Sequence, residues 1–197
     1  MITMSTDADG NSTHKKKWTK YFEDARKVPN DEYYTPEDAL SWIEDVVQPY
    51  RTIWEPCAGA GHIVRYFEAR GHAVIPTDIR MGPEYDLFKY HPQDAYDIIV
   101  TNIPFTNKRR ILERMFQIGK PFVILLSTMA LNSNPIRELL KTYGDWGILM
   151  PPKTINYIPG DVEGAADMTS NPKGTRSFFH SSWFCYKIPS VQGLVLV

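Results

Sequence analysis

The stretch "IWEPCAGAGHIVRYF", Ile53–Phe67, decides how the rest of the chain is read. Ile53 and Trp54 suit a buried strand, and the acidic Glu55 follows at once. Side chains then shrink through Cys57 and Ala58. Two glycines, Gly59 and Gly61, lead into helical periodicity over His62–Arg70, which Gly71 stops. A strand that turns through glycines into a helix lays bare its backbone. In a doubly wound sheet that turn is where backbone comes close to a nucleotide.

The flanking residues supply the sheet. Thr35 is placed to cap a helix over Pro36–Val47, with Pro36 at its first position and Glu37 and Asp38 at its positive end. "TIWE" predicts the first strand, "HAVIPTD" a short second one because of Pro76, and "DIIVT" (Asp97–Thr101) a third. A helix with Leu112, Met115 and Phe116 on one face follows. "PFVILLS" reads as a strand, Pro135–Tyr143 as a helix and "WGILM" as a strand. Residues 159–176, rich in Gly, Asn, Asp, Ser and Pro, predict a long loop, and "SFFHSSWFCYKI" closes as an extended strand. Alternating strands and helices with continuously apolar strands mean an α/β fold with a doubly wound, mostly parallel sheet. The last two strands, joined without a helix, predict an antiparallel hairpin at one edge.

The totals narrow the class. A chain of 197 residues, 43% hydrophobic and 13% aromatic, suits one compact domain over residues 31–190 behind a polar tail, residues 1–30. The net charge of −1 provides no global basic field, so a nucleic-acid partner must be held by local patches. Two cysteines, Cys57 and Cys185, fit a reducing compartment and exclude a disulfide framework or a four-cysteine zinc site. The chain has no apolar run of membrane-spanning length, and "MITMSTDADG" lacks the apolar core of a signal peptide. The expectation is a cytoplasmic protein without membrane or metal partners.

Charge discriminates between ligands for the glycine loop. Asp78 ends the second strand, where an acid can accept hydrogen bonds from ribose hydroxyls. A dinucleotide site wants a third small residue where Val64 stands. The pattern here, E-x-x-x-G-x-G, instead sets Glu55 before the turn, where it would repel a pyrophosphate and attract an ammonium. S-adenosylmethionine carries an ammonium and a sulfonium and no phosphate. It is the favoured ligand, with a dinucleotide and a ligand-free turn as the other readings of the loop.

A second motif adds chemistry. In "DIIVTNIPFTN" a buried strand ends in Asn102, followed by Ile103, Pro104 and Phe105, at the carboxyl end where α/β sites lie. The exocyclic nitrogen of adenine is a poor nucleophile because its lone pair is delocalised into the ring. The Asn102 side-chain oxygen and the Ile103 carbonyl, both aimed at that NH2, would accept its two protons and free the lone pair for attack on a methyl group. Pro104 stiffens the turn, and the Phe105 ring stacks on a flat base, worth about 1–3 kcal/mol. An ordinary strand-end Asn-x-Pro turn is the plain alternative.

Taken together, these residues resemble the class I S-adenosylmethionine-dependent methyltransferases, in particular the amino-methylating group. "CAGAG" resembles that group's glycine motif and "NIPF" its catalytic tetrapeptide, with Ile103 in place of the first proline. "YYTP", Tyr33–Pro36, resembles the turn that contacts the methionine end, and "EYDLF", Glu84–Phe88, falls where an acid meets the cofactor adenine. The resemblance implies a seven-stranded Rossmann-like methyltransferase sheet and a cofactor site of Tyr34, Thr35, Pro36, Glu55, Pro56, Cys57, Gly59, Gly61, Asp78, Asp86, Leu87 and Asn102. It implies catalysis by Asn102, Ile103, Pro104 and Phe105 on N6 of adenine, in DNA ahead of RNA. The order of motifs is that of N6-adenine methyltransferases, short forms of which occur in phages.

Basic residues could hold the substrate's phosphates: Lys108, Arg109 and Arg110 in "NKRR", and Lys173 and Arg176 in the long loop, with the basic-aromatic "HKKKW" near the start. Solvated surface charges are the bland reading of each. Two rivals stand beside nucleic-acid methylation. The same tetrapeptide serves protein glutamine methylation, because glutamine offers the same planar NH2. A catalytically silent cofactor- or nucleic-acid-binding domain is the other, suggested by Ile103.

Overall fold

The structure, a computed structural model, describes residues 33–92, 95–160, 164–171 and 180–197. The polar stretch expected at residues 1–30, including "HKKKW", lies outside them.

Nine strands and five helices are described: β1 Tyr33–Tyr34, α1 Glu37–Ser41, α2 Glu44–Val47, β2 Thr52–Glu55, α3 His62–Glu68, β3 Ala73–Pro76, β4 Ile98–Asn102, α4 Lys108–Ile118, β5 Phe122–Ser127, α5 Asn134–Tyr143, β6 Trp146–Met150, β7 Ile158–Pro159, β8 Ser181–Tyr186 and β9 Gly193–Leu196. Seven strands make one sheet in the order β3-β2-β4-β5-β8-β6-β9, and β1 pairs with β7 in a separate two-stranded sheet. Pairing is parallel from β3 through β5 and again between β6 and β9, while β8 is antiparallel to both β5 and β6. The expected α/β fold with a mostly parallel seven-stranded sheet is the one observed.

Alternation along each strand divides the core. Ile53, Ile98, Val100, Val123 and Leu125 face α1–α3, whereas Trp54, Ile99, Phe122, Ile124 and Leu126 face α4 and α5. Both faces are covered, which is why the strands carry unbroken apolar runs. From β2 the chain winds outward to β3, then crosses to β4 on the other side of β2 and on to β5. The sheet therefore reverses direction between β2 and β4, and ligands in such sheets bind at the carboxyl ends flanking that point. Asp97 fixes the start of this pair: its Oδ2 accepts the Arg51 and Thr52 N–H groups at 2.9 and 2.8 Å.

Three local expectations change. The helix read over Pro36–Val47 is broken into α1 and α2, and Thr35 makes no side-chain cap. Glu37 N–H is instead taken by the Thr169 carbonyl at 3.0 Å, so a distant loop replaces the local cap. The antiparallel β6–β8 pair is present, but β9 adds a further parallel strand outside β6. Gly147 in β6 makes room for that return, since a Cβ there would overlap the Val191 carbonyl oxygen.

Candidate active site

Glu55 closes β2 with its side chain only 2% exposed. The Val64 N–H of α3 donates to its carboxyl group, and Oε2 has no hydrogen-bond partner. Burial, and then the nearby Asp78 carboxylate, hold this acid well above the usual carboxylate range. A buried polar atom left orphaned destabilises the fold unless a ligand satisfies it.

The loop after it keeps its backbone open. Gly59 (φ +54°) and Gly61 (φ +80°) are left-handed, a conformation that side chains strain. A Cβ on Gly59 would also sit 3.3 Å from Arg80 Nη2 and 3.5 Å from Tyr34 Cε1. Gly59 N–H donates to Asp78 Oδ2 at 2.8 Å, and Ala58 N–H to the Thr77 carbonyl at 3.0 Å, which ties the loop to the end of β3. Burial, together with Glu55 and Asp78, pushes the Cys57 thiol up to about 12, so it is protonated at neutral pH and is no nucleophile.

Across the switch point, β4 delivers Asn102. Its Nδ2 donates to the Tyr33 carbonyl at 2.8 Å, and because the amide is planar, this tether turns Oδ1 away from that carbonyl. Three rings gather beside it. Tyr33 meets Phe105 edge-on at 5.6 Å, and Tyr157 lies 6.1 Å from Tyr33 and 6.2 Å from Phe105. Ile103 sends its side chain into the core, 3% exposed, in the cluster with Trp54, Leu87 and Ile111. That packing is a physical reason for isoleucine at this position: its side chain fills the space behind the turn.

β1 joins the two halves. While the Tyr33 backbone holds Asn102, the Tyr34 ring borders Gly59 and stacks on His62 at 4.6 Å with an 18° tilt. His62 Nε2 lies 3.0 Å from the Ala165 carbonyl and must donate to it, which leaves Nδ1 as a buried acceptor without a partner. Burial, and then Arg65, push the His62 pKa down, so the ring is neutral.

On the far side of the loop, Asp78 Oδ1 accepts the Arg80 N–H at 2.9 Å and Arg80 Nε at 3.2 Å. The next side chain, Ile79, is 62% exposed despite being apolar. Asp86 Oδ1 accepts the Phe88 N–H at 3.0 Å, and Leu87 beside it is buried.

The structure therefore brings Tyr34, Cys57, Gly59, Gly61 and Asp78 together around one loop, with Glu55 at its base and Asn102 and Phe105 joined to it through β1. Pro56 is in the loop, and Thr35 and Pro36 follow Tyr34, with the Thr35 hydroxyl buried and unpartnered. Asp86 and Leu87 form a separate turn. Lys108 and Arg109 begin α4, but the Arg110 guanidinium lies 4.4 Å above the Phe88 ring. Lys173 and Arg176 lie outside the described residues. Sequence reasoning missed Tyr157, Ile79 and Arg114. Only Ile79, an apolar residue just after the strand-end acid, had a local signal. Among the described residues, no three His, Cys, Asp or Glu side chains gather to hold a metal, and no helix is long and apolar enough to cross a membrane.

No protein-family model matches the chain, and no curated protein matches it. Solved structures show distant likeness. A Listeria monocytogenes protein assigned to the class I S-adenosylmethionine-dependent methyltransferases has a TM-score of 0.47 at 11% identity, with 83% of this chain and 65% of that one covered. The plantazolicin methyltransferase BpumL, in complex with S-adenosylhomocysteine, gives 0.44 at 13% identity over 88% and 90% of the two chains. TehB from Haemophilus influenzae gives 0.44 at 16% identity over 77% and 62%.

Proposed function

We propose that the chain is an S-adenosylmethionine-dependent methyltransferase acting on the N6 amino group of adenine in nucleic acid, DNA ahead of RNA. The observation that carries the reading is β1 as a bridge: Tyr33 holds Asn102 while Tyr34 lines the glycine loop. This link supports reading the loop as the cofactor site and Asn102 as the residue that would orient the amine.

The residues fit the cofactor. The orphaned Glu55 Oε2 supplies a buried acceptor for a cationic head group. Gly59 and Gly61 offer bare backbone, and Asp78 lies beside them for ribose hydroxyls. Ile79 presents an apolar surface to a purine face. When bound, S-adenosylmethionine supplies an electrophilic methyl group. The chain's own residues do the rest by orientation. Asn102 Oδ1 and the Ile103 carbonyl would accept hydrogen bonds from the two amine N–H groups, which favours a pyramidal nitrogen with its lone pair aimed at the methyl group; after transfer the nitrogen loses one of those protons to bulk water as the product leaves. Phe105 stacks on the base, with Tyr33 and Tyr157 as walls that keep water away. No general base is needed before attack. Lys108 and Arg109, at the start of α4, would meet phosphates.

The test is incubation with methyl-labelled donor and separate DNA, RNA and protein pools, followed by nucleoside and peptide mass analysis. N6-methyladenine that disappears in Asn102→Ala supports the proposal. Label on glutamine in the protein pool would transfer the assignment to protein methylation. Cofactor binding without any transfer would make the chain a silent binding domain.

A further inference from the structure

Helix α4 leaves the catalytic turn and runs beside the turn at residues 86–90. Arg110 and Arg114 are four residues apart and share a face of α4. Arg114, half-buried, donates Nε–H to the Leu87 carbonyl at 3.3 Å. Arg110 lays its guanidinium 4.4 Å over the Phe88 ring. Ile111, between them in sequence, packs in one core cluster with Leu87.

We infer that Arg110 and Arg114 are positioning residues for the purine end of the cofactor: they clamp the Asp86–Phe88 turn from α4 instead of binding substrate phosphates. This rests on the proposed function, and on the expectation drawn from the family resemblance that Asp86 meets the cofactor adenine. The turn belongs to no strand or helix. Its local supports are the Asp86 carbonyl, which accepts the Lys89 and Tyr90 N–H groups at 2.8 and 2.7 Å, the Asp86 carboxylate on Phe88 N–H, and an ion pair of Asp86 Oδ2 with Lys89 Nζ at 3.9 Å; none of them holds the Leu87 carbonyl or the Phe88 ring. A guanidinium donating to a backbone carbonyl fixes the carbonyl's direction, and hence the peptide plane that follows it. A planar cation on a phenyl face fixes the ring. Both act on the turn that carries Asp86, while the methionine end, at Glu55 and Gly59, has its own supports. An arginine engaged with Phe88 is withdrawn from the phosphate-binding set expected of "NKRR". Lys108 and Arg109 are left to that task. Because α4 starts at the catalytic turn, the same helix sets both the purine subsite and the first substrate-facing charges.

The test uses the full chain and S-adenosylhomocysteine in a calorimeter. Arg114→Ala should bind it about tenfold more weakly, as expected for loss of one charge-assisted hydrogen bond. Its KM for S-adenosylmethionine should rise by a similar factor, with kcat at saturating cofactor within about twofold of the parent. Its KM for an oligonucleotide substrate, and the salt dependence of that KM, should stay at parent values. Arg114→Lys, which keeps a donor, should fall between parent and Ala, and it serves if the Ala variant does not fold. A cycle of Arg110→Ala with Phe88→Ala should be non-additive, the double variant losing less cofactor affinity than the product of the single losses. Unchanged S-adenosylhomocysteine affinity in Arg114→Ala, an additive cycle, or an effect confined to oligonucleotide KM would overturn the clamp. A parent chain that binds no S-adenosylhomocysteine would overturn the proposed function itself.

Discussion

Replacing Glu55 by glutamine isolates the buried acid at the base of the glycine loop. Its carboxyl is held above the ordinary range, first by burial and then by Asp78. The folded protein therefore keeps this proton at pH values where the unfolded chain has lost it. The stability from Glu55 is complete below the unfolded value and is lost as pH rises through the window up to the folded value. Within that window one proton separates the two states, so stability falls by about 1.4 kcal/mol per pH unit. For a chain of 197 residues, that is about 3–5 °C of melting temperature per unit. Glu55→Gln keeps the shape and donates or accepts hydrogen bonds without a charge, so this contribution to the slope should vanish. Cofactor should act in the opposite direction. A cationic head group stabilises the ionised carboxylate, so affinity for S-adenosylhomocysteine should rise with pH through the same window. Glu55→Gln should lose about 1.5–3 kcal/mol of that affinity, roughly 10- to 150-fold. Melting curves at half-unit pH steps, with and without S-adenosylhomocysteine, give both numbers. Equal pH slopes for parent and variant would refute the buried-acid reasoning. A pH-independent affinity would refute the pairing of Glu55 with the ligand's cation.

Three further outcomes follow from the geometry. Asn102→Ala should reduce kcat by about 10²–10³, as for loss of one oriented polar group, while S-adenosylhomocysteine affinity by calorimetry falls little. It should also lower stability by about 1 kcal/mol in denaturant titration, because the Tyr33 carbonyl loses its donor. Ile103→Ala should cost about 2–5 kcal/mol of stability by the same titration, since that side chain fills the cluster with Trp54 and Leu87; a near-neutral result would show that only its carbonyl matters. Lys108→Ala with Arg109→Ala should flatten the salt dependence of DNA binding by about one to two units of log–log slope, measured by fluorescence anisotropy.

The sequence by itself determined what depends on neighbours along the chain. Strand and helix periods predicted the alternating elements and the α/β class. Gly59 and Gly61 announced a turn with bare backbone, and Asn102–Phe105 stood out as polar chemistry at the end of an apolar strand. The tertiary structure decided what depends on which distant segments become neighbours. The pairing of Tyr33–Tyr34 with Ile158–Pro159 has no local signal, yet it brings Tyr157 beside Phe105 and fastens Asn102. Thr35 looked like a helix cap, but Pro36 takes the cap position and the Thr169 carbonyl, far along the chain, accepts the open Glu37 N–H. β9 was not predicted from the sequence, and its place is set by pairing with β6. Ile103 looked like a flaw in a motif until the core behind it was visible. Arg110 belonged, by composition, to a basic run. Only the fold put Phe88 within reach of it, and a cation goes where an aromatic face and a carbonyl-lined turn already hold its neighbours in place.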